Sequence, residues 1–248
     1  SRGLGDVYKR QQLLRNDKNG YDTLDEAQLA EMEAYCADYK AFLNAGKTER
    51  LSARAAIAAA EAKGFVQYKR GMALKAGDKV YTCNRGKGLM LAVIGKESLA
   101  EGAQIAAAHI DSPRLDLKPT PLYEDSEMAY FKTHYYGGIR KYQWVTIPLQ
   151  LRGVVAKKDG SVVDVCIGEA GELQLVITDL LPHLGGEQGR KPLNEAVPGE
   201  TLNLLVGSRP IGDSEDKDRV KLHVMKRLHD KYGITESDFA SAELEAVP

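Results

Sequence analysis

The stretch Gln104-Ile-Ala-Ala-Ala-His109-Ile-Asp111-Ser-Pro113 decides the fold that this sequence predicts. Its apolar run from Ile105 is typical of a strand covered on both faces of an α/β sheet. Residues two apart in an extended chain face the same side, so His109 and Asp111 would leave the strand together. Ligand sites of open α/β sheets gather at such carboxyl edges. The sequence therefore predicts an α/β fold with a candidate site where this strand ends.

The chemistry of the pair indicates a metal site. A neutral imidazole is the commonest metal ligand in proteins, and a nearby carboxylate fixes its tautomer and orientation. We therefore predict His109 as a metal ligand and Asp111 as its orienting partner. The alternative is a structural histidine that is merely hydrogen-bonded, because a His-x-Asp triplet also arises by chance.

The residues before this stretch predict two helices and three further strands. Thr23-Leu-Asp-Glu26 forms a capping-box pattern that would open a helix ending near Asn44. Thr48 can cap a second, alanine-rich helix that ends at Gly64. Short apolar stretches at 65–68, 79–83 and 89–94 are separated by turn residues and predict strands.

The character of the chain changes after Pro113. Pro119 and Pro121 are expected to break the chain, and strand-like segments then follow one another at 129–136, 143–152, 153–157, 162–167 and 173–178. A charged helix is predicted from Asp213 to Tyr232. The tail from Ala242 alternates like a strand that has nothing following to pair with. We predict a separate antiparallel unit, with a domain boundary near Lys118.

Composition excludes several classes of function. The chain has 248 residues, and its 34 Lys and Arg nearly balance 35 Asp and Glu, so no strong field would gather nucleic acid. No apolar run approaches the roughly 20 residues of a membrane-spanning helix, and no signal-peptide pattern is present near Ser1. Three isolated cysteines indicate no disulfide framework. We expect a cytoplasmic protein that binds neither nucleic acid nor membrane.

Both ends of the sequence predict that it is a piece of a longer reading frame. At the C-terminal end the indication is the strand-like tail from Ala242. The chain has no initiator Met, and Gly3 to Gln11 resembles the translation of an adapter used in sequencing libraries, so residues 1–11 are expected to be non-native. A short natural N-terminus that is disordered is the alternative.

Several ordered motifs resemble one known family. They are Ala106-Ala-Ala-His109-Ile-Asp111-Ser-Pro113-Arg-Leu-Asp-Leu-Lys-Pro119, Tyr135-Tyr-Gly-Gly-Ile139, Ile177-Thr-Asp-Leu-Leu-Pro-His183-Leu184 and Asn203-Leu-Leu-Val-Gly207-Ser-Arg-Pro-Ile. Together they resemble the aspartyl aminopeptidase family of dinuclear-zinc peptidases, which includes the vacuolar aminopeptidase I type. The resemblance extends from about Asn19 to Pro248, and Arg140 to Pro148 is more similar to a bacterial branch.

The resemblance implies a fold, a cofactor and three site residues. It implies a zinc-aminopeptidase α/β domain, here residues 12–118 and the start of its return at 238–248, with a β-rich dimerisation domain inserted at 119–237. His109 would bind one of two zinc ions and Asp111 would orient it. His183 would reach into the neighbouring subunit's active site and help to hold a peptide substrate. Dimers that assemble into tetrahedral dodecamers are also implied.

The resemblance also implies missing parts. In the family a bridging Asp, a Glu-Glu pair with the general base, and further Asp and His ligands follow the point that matches Pro248. We therefore expect this chain by itself to lack peptidase activity. The alternatives are a noncatalytic oligomerisation or binding protein with a structural His-Asp pair, and another two-metal peptidase, which would lack the Pro182-His183 segment.

Overall fold

The computed structural model describes residues 13–15, 17–169 and 171–248. The predicted adapter-derived residues 1–11 lie outside the described residues. The chain forms two compact units, which divide between Ala45 and Gly46. No helix in the described ranges is both long enough and apolar enough to cross a membrane.

The first unit contains a 3-10 turn at Gly20–Thr23 and helix α1 at Glu26–Ala45. The capping box of α1 lies two residues later than predicted. The backbone N–H of Gln28 donates to Asp25 Oδ1 at 2.8 Å, and that of Asp25 donates to Gln28 Oε1 at 3.0 Å. Thr23 is not the cap because it belongs to the preceding 3-10 turn, where its hydroxyl donates to the Gly20 carbonyl, and the helix begins only at Glu26.

The second unit begins with helix α2 at Glu49–Ala62 and a small sheet. The Thr48 hydroxyl caps α2, and Gly64 follows it with φ +83°, both as predicted. Strands β1 at Val66–Gln67, β2 at Lys79–Asn84 and β3 at Gly88–Val93 confirm the predicted strands. The strand β1 pairs parallel to β2, and β2 pairs antiparallel to β3.

The prediction of a strand at 104–109 is wrong. Residues 102–113 contain no strand, and Ile105 is 86% exposed. Within the described ranges, no backbone hydrogen bond joins residues 103–113 to another segment. An apolar run forms a buried strand only where neighbouring strands pair with its backbone. The described part of the chain supplies no such neighbouring strand.

A long hairpin follows directly. Strand β4 runs from Arg114 to Asp125 and pairs antiparallel with β5 at Met128–Tyr136. The expectation that Pro119 and Pro121 break the chain is wrong, because a register shift between Leu117 and Leu122 accommodates them inside β4. Proline lacks an N–H donor, and an irregularity removes the need for one there. The predicted domain boundary near Lys118 falls within this strand.

The remaining strands complete a seven-stranded sheet in which six of the strands pair in a closed ring. They are β6 at Pro148–Ala156, β7 at Val162–Ile167, β8 at Leu175–Val176, β9 at Leu204–Gly207 and β10 at Ala242–Val247. The strand order is β10-β4-β5-β9-β8-β6-β7, and β10 also pairs with β6. The predicted strand at Ala242 is confirmed, but the expectation that it lacks a pairing partner is wrong, since it pairs antiparallel with both β4 and β6.

The core of the second unit lies inside this closed sheet. Its fully buried side chains include Leu115, Phe131, Leu149, Leu151 and Leu204. The described part also contains a short helix α3 at Leu193–Ala196 and helix α4 at Arg219–Tyr232, which ends at Gly233 with φ +63° as predicted.

Helix α4 begins later than the predicted Asp213. The Glu124 carboxylate, from β4, accepts the backbone N–H groups of Val220 and Lys221 at 2.9 and 2.8 Å. A carboxylate at a helix N-terminus satisfies otherwise unpaired amides, so a contact distant in sequence sets where this helix starts.

Candidate metal-binding site

The structure brings His109 and Asp111 together, as predicted from their spacing. His109 Nδ1 lies 2.9 Å from the main-chain carbonyl oxygen of Asp111 and 3.5 Å from Asp111 Oδ1. A proton on Nδ1 would be donated to these oxygens, which leaves Nε2 with its lone pair free for a metal. The side chain of His109 is 85% exposed. The pair therefore has the chemistry of an oriented ligand, on a segment that no strand covers.

Tyr136 supplies a partner for Asp111 that the sequence did not single out. Its hydroxyl donates a hydrogen bond of 2.8 Å to Asp111 Oδ2. This hydrogen bond is the main cause that lowers the pKa of the Asp111 carboxyl, and it raises the pKa of the Tyr136 phenol. Asp111 is therefore held as a carboxylate, the form that orients an imidazole.

Arg114 connects this pair to the folded sheet. It stands opposite Tyr136 in the β4–β5 ladder, and its guanidinium lies 4.2 Å from the centre of the tyrosine ring. The sequence showed the motif Ser-Pro-Arg114. It did not show the strand register, which pairs Arg114 with Tyr136 rather than with Tyr135.

Arg114 belongs in turn to a partly buried ion cluster, defined here as Glu49, Arg50, Lys87, Arg114, Asp116, Glu243 and Glu245. The cluster contains more carboxylates than cations. The excess negative charge affects Glu245 most, because this side chain is only 2% exposed. Burial, followed by the charge of Glu49, raises the pKa of Glu245 to about 7, although Arg114 opposes the shift. Sequence reasoning missed this cluster because its members come from α2, the β2–β3 turn, β4 and β10.

The ion cluster is not a second metal site. Glu49, Glu243 and Glu245 form the one group of three or more potential ligands in the part of the chain that the structure describes. Lys87 lies 2.8 Å from Glu243, and Arg114 lies 3.2 Å from Glu49. These cations already pair with two of the three carboxylates, so the cluster is not proposed as a metal site.

His183 lies apart from the pair. It is exposed in a turn of the loop between β8 and α3, where the Leu181 carbonyl accepts the N–H of Gly185 at 2.9 Å. No hydrogen bond or ion pair within the described ranges joins His183 to His109 or Asp111. A cavity of about 440 Å³ beside this loop is lined by Leu180 and Leu184 but not by His109.

His109 fits a zinc site as one member of a larger ligand set. Protein zinc is held by three or four side chains, of which imidazole is among the commonest. No further His, Cys, Asp or Glu in the described ranges forms a ligand group with it. The donor chemistry therefore fits zinc, but other ligands are required.

Comparison with known proteins settles the family. Residues 42–248 match the family described as Aminopeptidase I zinc metalloprotease (M18). The chain belongs to the M18 family. This confirms the resemblance drawn from the His-Ile-Asp and Tyr-Tyr-Gly-Gly motifs.

Individual M18 proteins match over nearly the whole chain. "Probable M18 family aminopeptidase 1" of Clostridium acetobutylicum is 50% identical over 241 residues, which cover 95% of this chain and 52% of the relative. The crystal structure of the M18 aminopeptidase of Thermotoga maritima has a TM-score of 0.87 and 40% identity, over 95% of this chain and 51% of that one. The expected similarity to bacterial members is confirmed.

A more distant solved structure shares the fold alone. The mApe1 dodecamer of S. cerevisiae has a TM-score of 0.61 at 16% identity, over 87% of this chain and 48% of that one. Its likeness supports the mixed α/β fold class predicted from the sequence. This chain spans about half the length of the curated relatives it matches.

Proposed function

We propose that the protein is a zinc aminopeptidase that releases N-terminal residues from peptides, with His109 as a zinc ligand. The observation that carries this proposal is the contact of His109 Nδ1 with Asp111, which leaves Nε2 available to a metal. Membership of a zinc metalloprotease family supports the choice of metal. Asp111 then acts through the imidazole that it orients.

The proposed cofactor is two zinc ions in each complete site. When bound, such a pair supplies a Lewis acid for the scissile carbonyl and lowers the pKa of a bound water towards about 7. The part of this chain is to hold one imidazole in a single tautomer and to keep Asp111 ionised. Because one imidazole cannot hold two ions, we propose that residues 1–248 alone are inactive and that the remaining ligands lie in the part that relatives have in addition.

His183 is proposed to contact substrate in a neighbouring subunit of a homo-oligomer. Its loop exposes Leu180, Leu181 and Leu184 at 55%, 68% and 73%. Exposed apolar groups clustered on one loop are typical of an interaction surface.

We propose residues 119–237 as the dimerisation domain, between 12–118 and 238–248 of the α/β domain. A dodecamer is proposed by analogy with mApe1, and the cytoplasm as the location.

The test is a protein of the relatives' full length in which His109 is replaced by alanine. We expect His109→Ala to lose bound zinc and aminopeptidase activity together, because a ligand is removed. His223→Ala is the matched control, since His223 lies on helix α4 and its Nδ1 contacts the main-chain carbonyl oxygen of Arg209 at 2.7 Å rather than a carboxylate. Zinc content is measured by atomic absorption and activity on aminoacyl-nitroanilides.

The alternative function, a noncatalytic oligomerisation or binding protein with a structural His-Asp pair, predicts different results. The unaltered full-length protein would then hold no zinc and release no amino acid. Retention of zinc and activity by His109→Ala would remove His109 from the site.

For His183, mixing inactive His109→Ala and His183→Ala proteins should restore some activity in mixed oligomers, and absence of any rescue would contradict the cross-subunit role.

A further inference from the structure

We propose that Tyr136 is a positioning residue, which fixes the Asp111 carboxylate and thereby the orientation of the His109 imidazole. This inference rests on the proposed function. Tyr136 would not touch substrate or metal; it would act through Asp111.

The first support is the division of the Asp111 carboxylate between two partners. Oδ2 accepts the Tyr136 hydroxyl at 2.8 Å, and Oδ1 lies 3.5 Å from His109 Nδ1. A carboxylate is planar, so fixing one oxygen fixes the direction of the other. His109 Nδ1 lies closer still to the Asp111 main-chain carbonyl oxygen, at 2.9 Å. The tyrosine hydroxyl therefore fixes the direction of Oδ1, the second Asp111 oxygen that faces the imidazole.

The second support is the absence of any competing anchor in the described ranges. Residues 103–113 make no backbone hydrogen bond to another segment. The Tyr136 hydroxyl is the one side chain from outside this segment that hydrogen-bonds to it. Gly137 follows Tyr136 with φ +78°, and a Cβ added there would lie 3.5 Å from Pro113 Cγ, so the backbone after β5 passes close to the end of the segment. The Tyr136 hydrogen bond therefore comes from the end of β5, beside the His-Asp motif.

The third support is that Tyr136 is itself held. It is the last residue of β5 and pairs with Arg114, the first residue of β4. The Arg114 guanidinium lies over the tyrosine ring and bonds to Asp116 Oδ1 at 2.8 Å. Arg114 is 9% exposed, so its position is fixed by buried partners. A chain of contacts thus runs from the closed sheet through Arg114, Tyr136 and Asp111 to His109.

A purely structural role for Tyr136 predicts a different pattern of effects. The ring alone can pack against Arg114, and loss of the hydroxyl would then leave the site unchanged. Tyr136→Phe keeps the ring and its position over Arg114 while it removes the one hydrogen bond to Asp111. This substitution therefore separates the hydroxyl from the packing.

The test uses the zinc-loaded full-length protein with Tyr136→Phe, and Tyr135→Phe as the matched control. Tyr135 is the adjacent tyrosine, 38% exposed against 41% for Tyr136, and no hydrogen bond of its hydroxyl is found among the described residues. We expect Tyr136→Phe to lower kcat about tenfold with KM unchanged, the lower end of the range for partners of a metal ligand. Zinc should also dissociate to a chelator about tenfold faster, while Tyr135→Phe changes neither quantity.

A double-variant cycle with Asp111→Ala, which removes the oxygen that accepts the Tyr136 hydroxyl, gives a second measurement. If Tyr136 acts through Asp111, adding Tyr136→Phe to Asp111→Ala should lower kcat little further. Multiplicative losses in the double variant, or a Tyr136→Phe protein with normal kcat and zinc retention, would overturn the inference. An unaltered protein without zinc or activity would instead refute the proposed function, and the role of Tyr136 with it.

Discussion

The closed seven-stranded sheet and the segment 102–113 are adjacent in sequence but differ in how they are held. The sheet buries its large side chains, and its strand β10 pairs on both sides. The segment carries His109 and Asp111, yet it has no strand partner within the described ranges and exposes Ile105 almost fully. The sheet is therefore self-sufficient, whereas the segment depends on side-chain contacts from its neighbour.

This difference indicates how a folded sheet can help to hold a neighbouring segment that is not part of it. The closed sheet provides rigid strands, and the end of β5 presents Tyr136 and Gly137 to the segment. His109 and Asp111 contact each other within the segment, and the sheet adds the hydrogen bond from Tyr136 to the Asp111 carboxylate. The following measurements test that contrast.

The largest difference is expected between two isoleucines. Ile177 is 1% exposed in the core of the closed sheet, whereas Ile105 is 86% exposed. Ile177→Ala should lower the free energy of unfolding by about 2–5 kcal/mol, because it removes buried methyl groups and leaves a cavity. Ile105→Ala should change it by less than about 0.5 kcal/mol. Urea unfolding of residues 1–248 measures both, and equal losses would show that the segment is packed after all.

A smaller effect with a defined pH dependence is expected at Glu245. Its folded pKa of about 7 lies above the ordinary 4.5, so the folded state holds this proton more tightly than the unfolded state. Stability contributed by the neutral form is therefore lost as pH rises from about 4.5 to 7. Glu245→Gln should raise the free energy of unfolding by about 1–3 kcal/mol at pH 8 and change it little at pH 4.5.

Glu243→Gln is the matched control within the same ion cluster. Burial raises the pKa of Glu243, but the hydrogen bond from Lys87 and the charge of Arg50 outweigh it and lower the pKa overall. Its ionised form therefore stabilises the fold, and Glu243→Gln should lower stability at pH 8. Thermal unfolding at the two pH values measures both variants. A stabilising effect of Glu245→Gln that is equal at pH 4.5 and pH 8 would contradict the assignment of this proton.

The smallest free energies of local opening are expected for the backbone amides of the segment itself. Backbone amides at 103–112 make no backbone hydrogen bond to another segment, so their opening should cost about 0 kcal/mol and they should exchange at nearly unfolded rates. Leu115 and Tyr135, paired across β4 and β5, should be protected by several orders of magnitude. Hydrogen exchange read by mass spectrometry compares the two directly. Slow exchange at 103–112 would mean that another surface covers this segment.

Local patterns predicted local structure well. The Thr48 cap, the glycine at 64, the strands at 79–84 and 162–167 and the stop of α4 at Gly233 follow from the side chains at those positions. The spacing of His109 and Asp111 likewise predicted their contact. Each of these depends on residues within a few positions of one another, where backbone geometry alone sets the distance.

The failures occurred where distant residues decide the outcome. The apolar run at 104–109 is not a strand, because a strand needs partners that pattern cannot supply. Pro119 and Pro121 lie within β4 because the β5 register shifts at that point. Helix α4 starts at Arg219 because Glu124 caps it from another strand.

The sequence by itself therefore determined the family and the contact of His109 with Asp111, since motif identity and short spacing are properties of the chain. The tertiary structure alone decided that Tyr136 and not Tyr135 reaches Asp111, and that Glu245 is buried beside Glu49. The physical reason is strand register. A shift of one residue turns every side chain to the opposite face, and that register is set by pairing across the sheet.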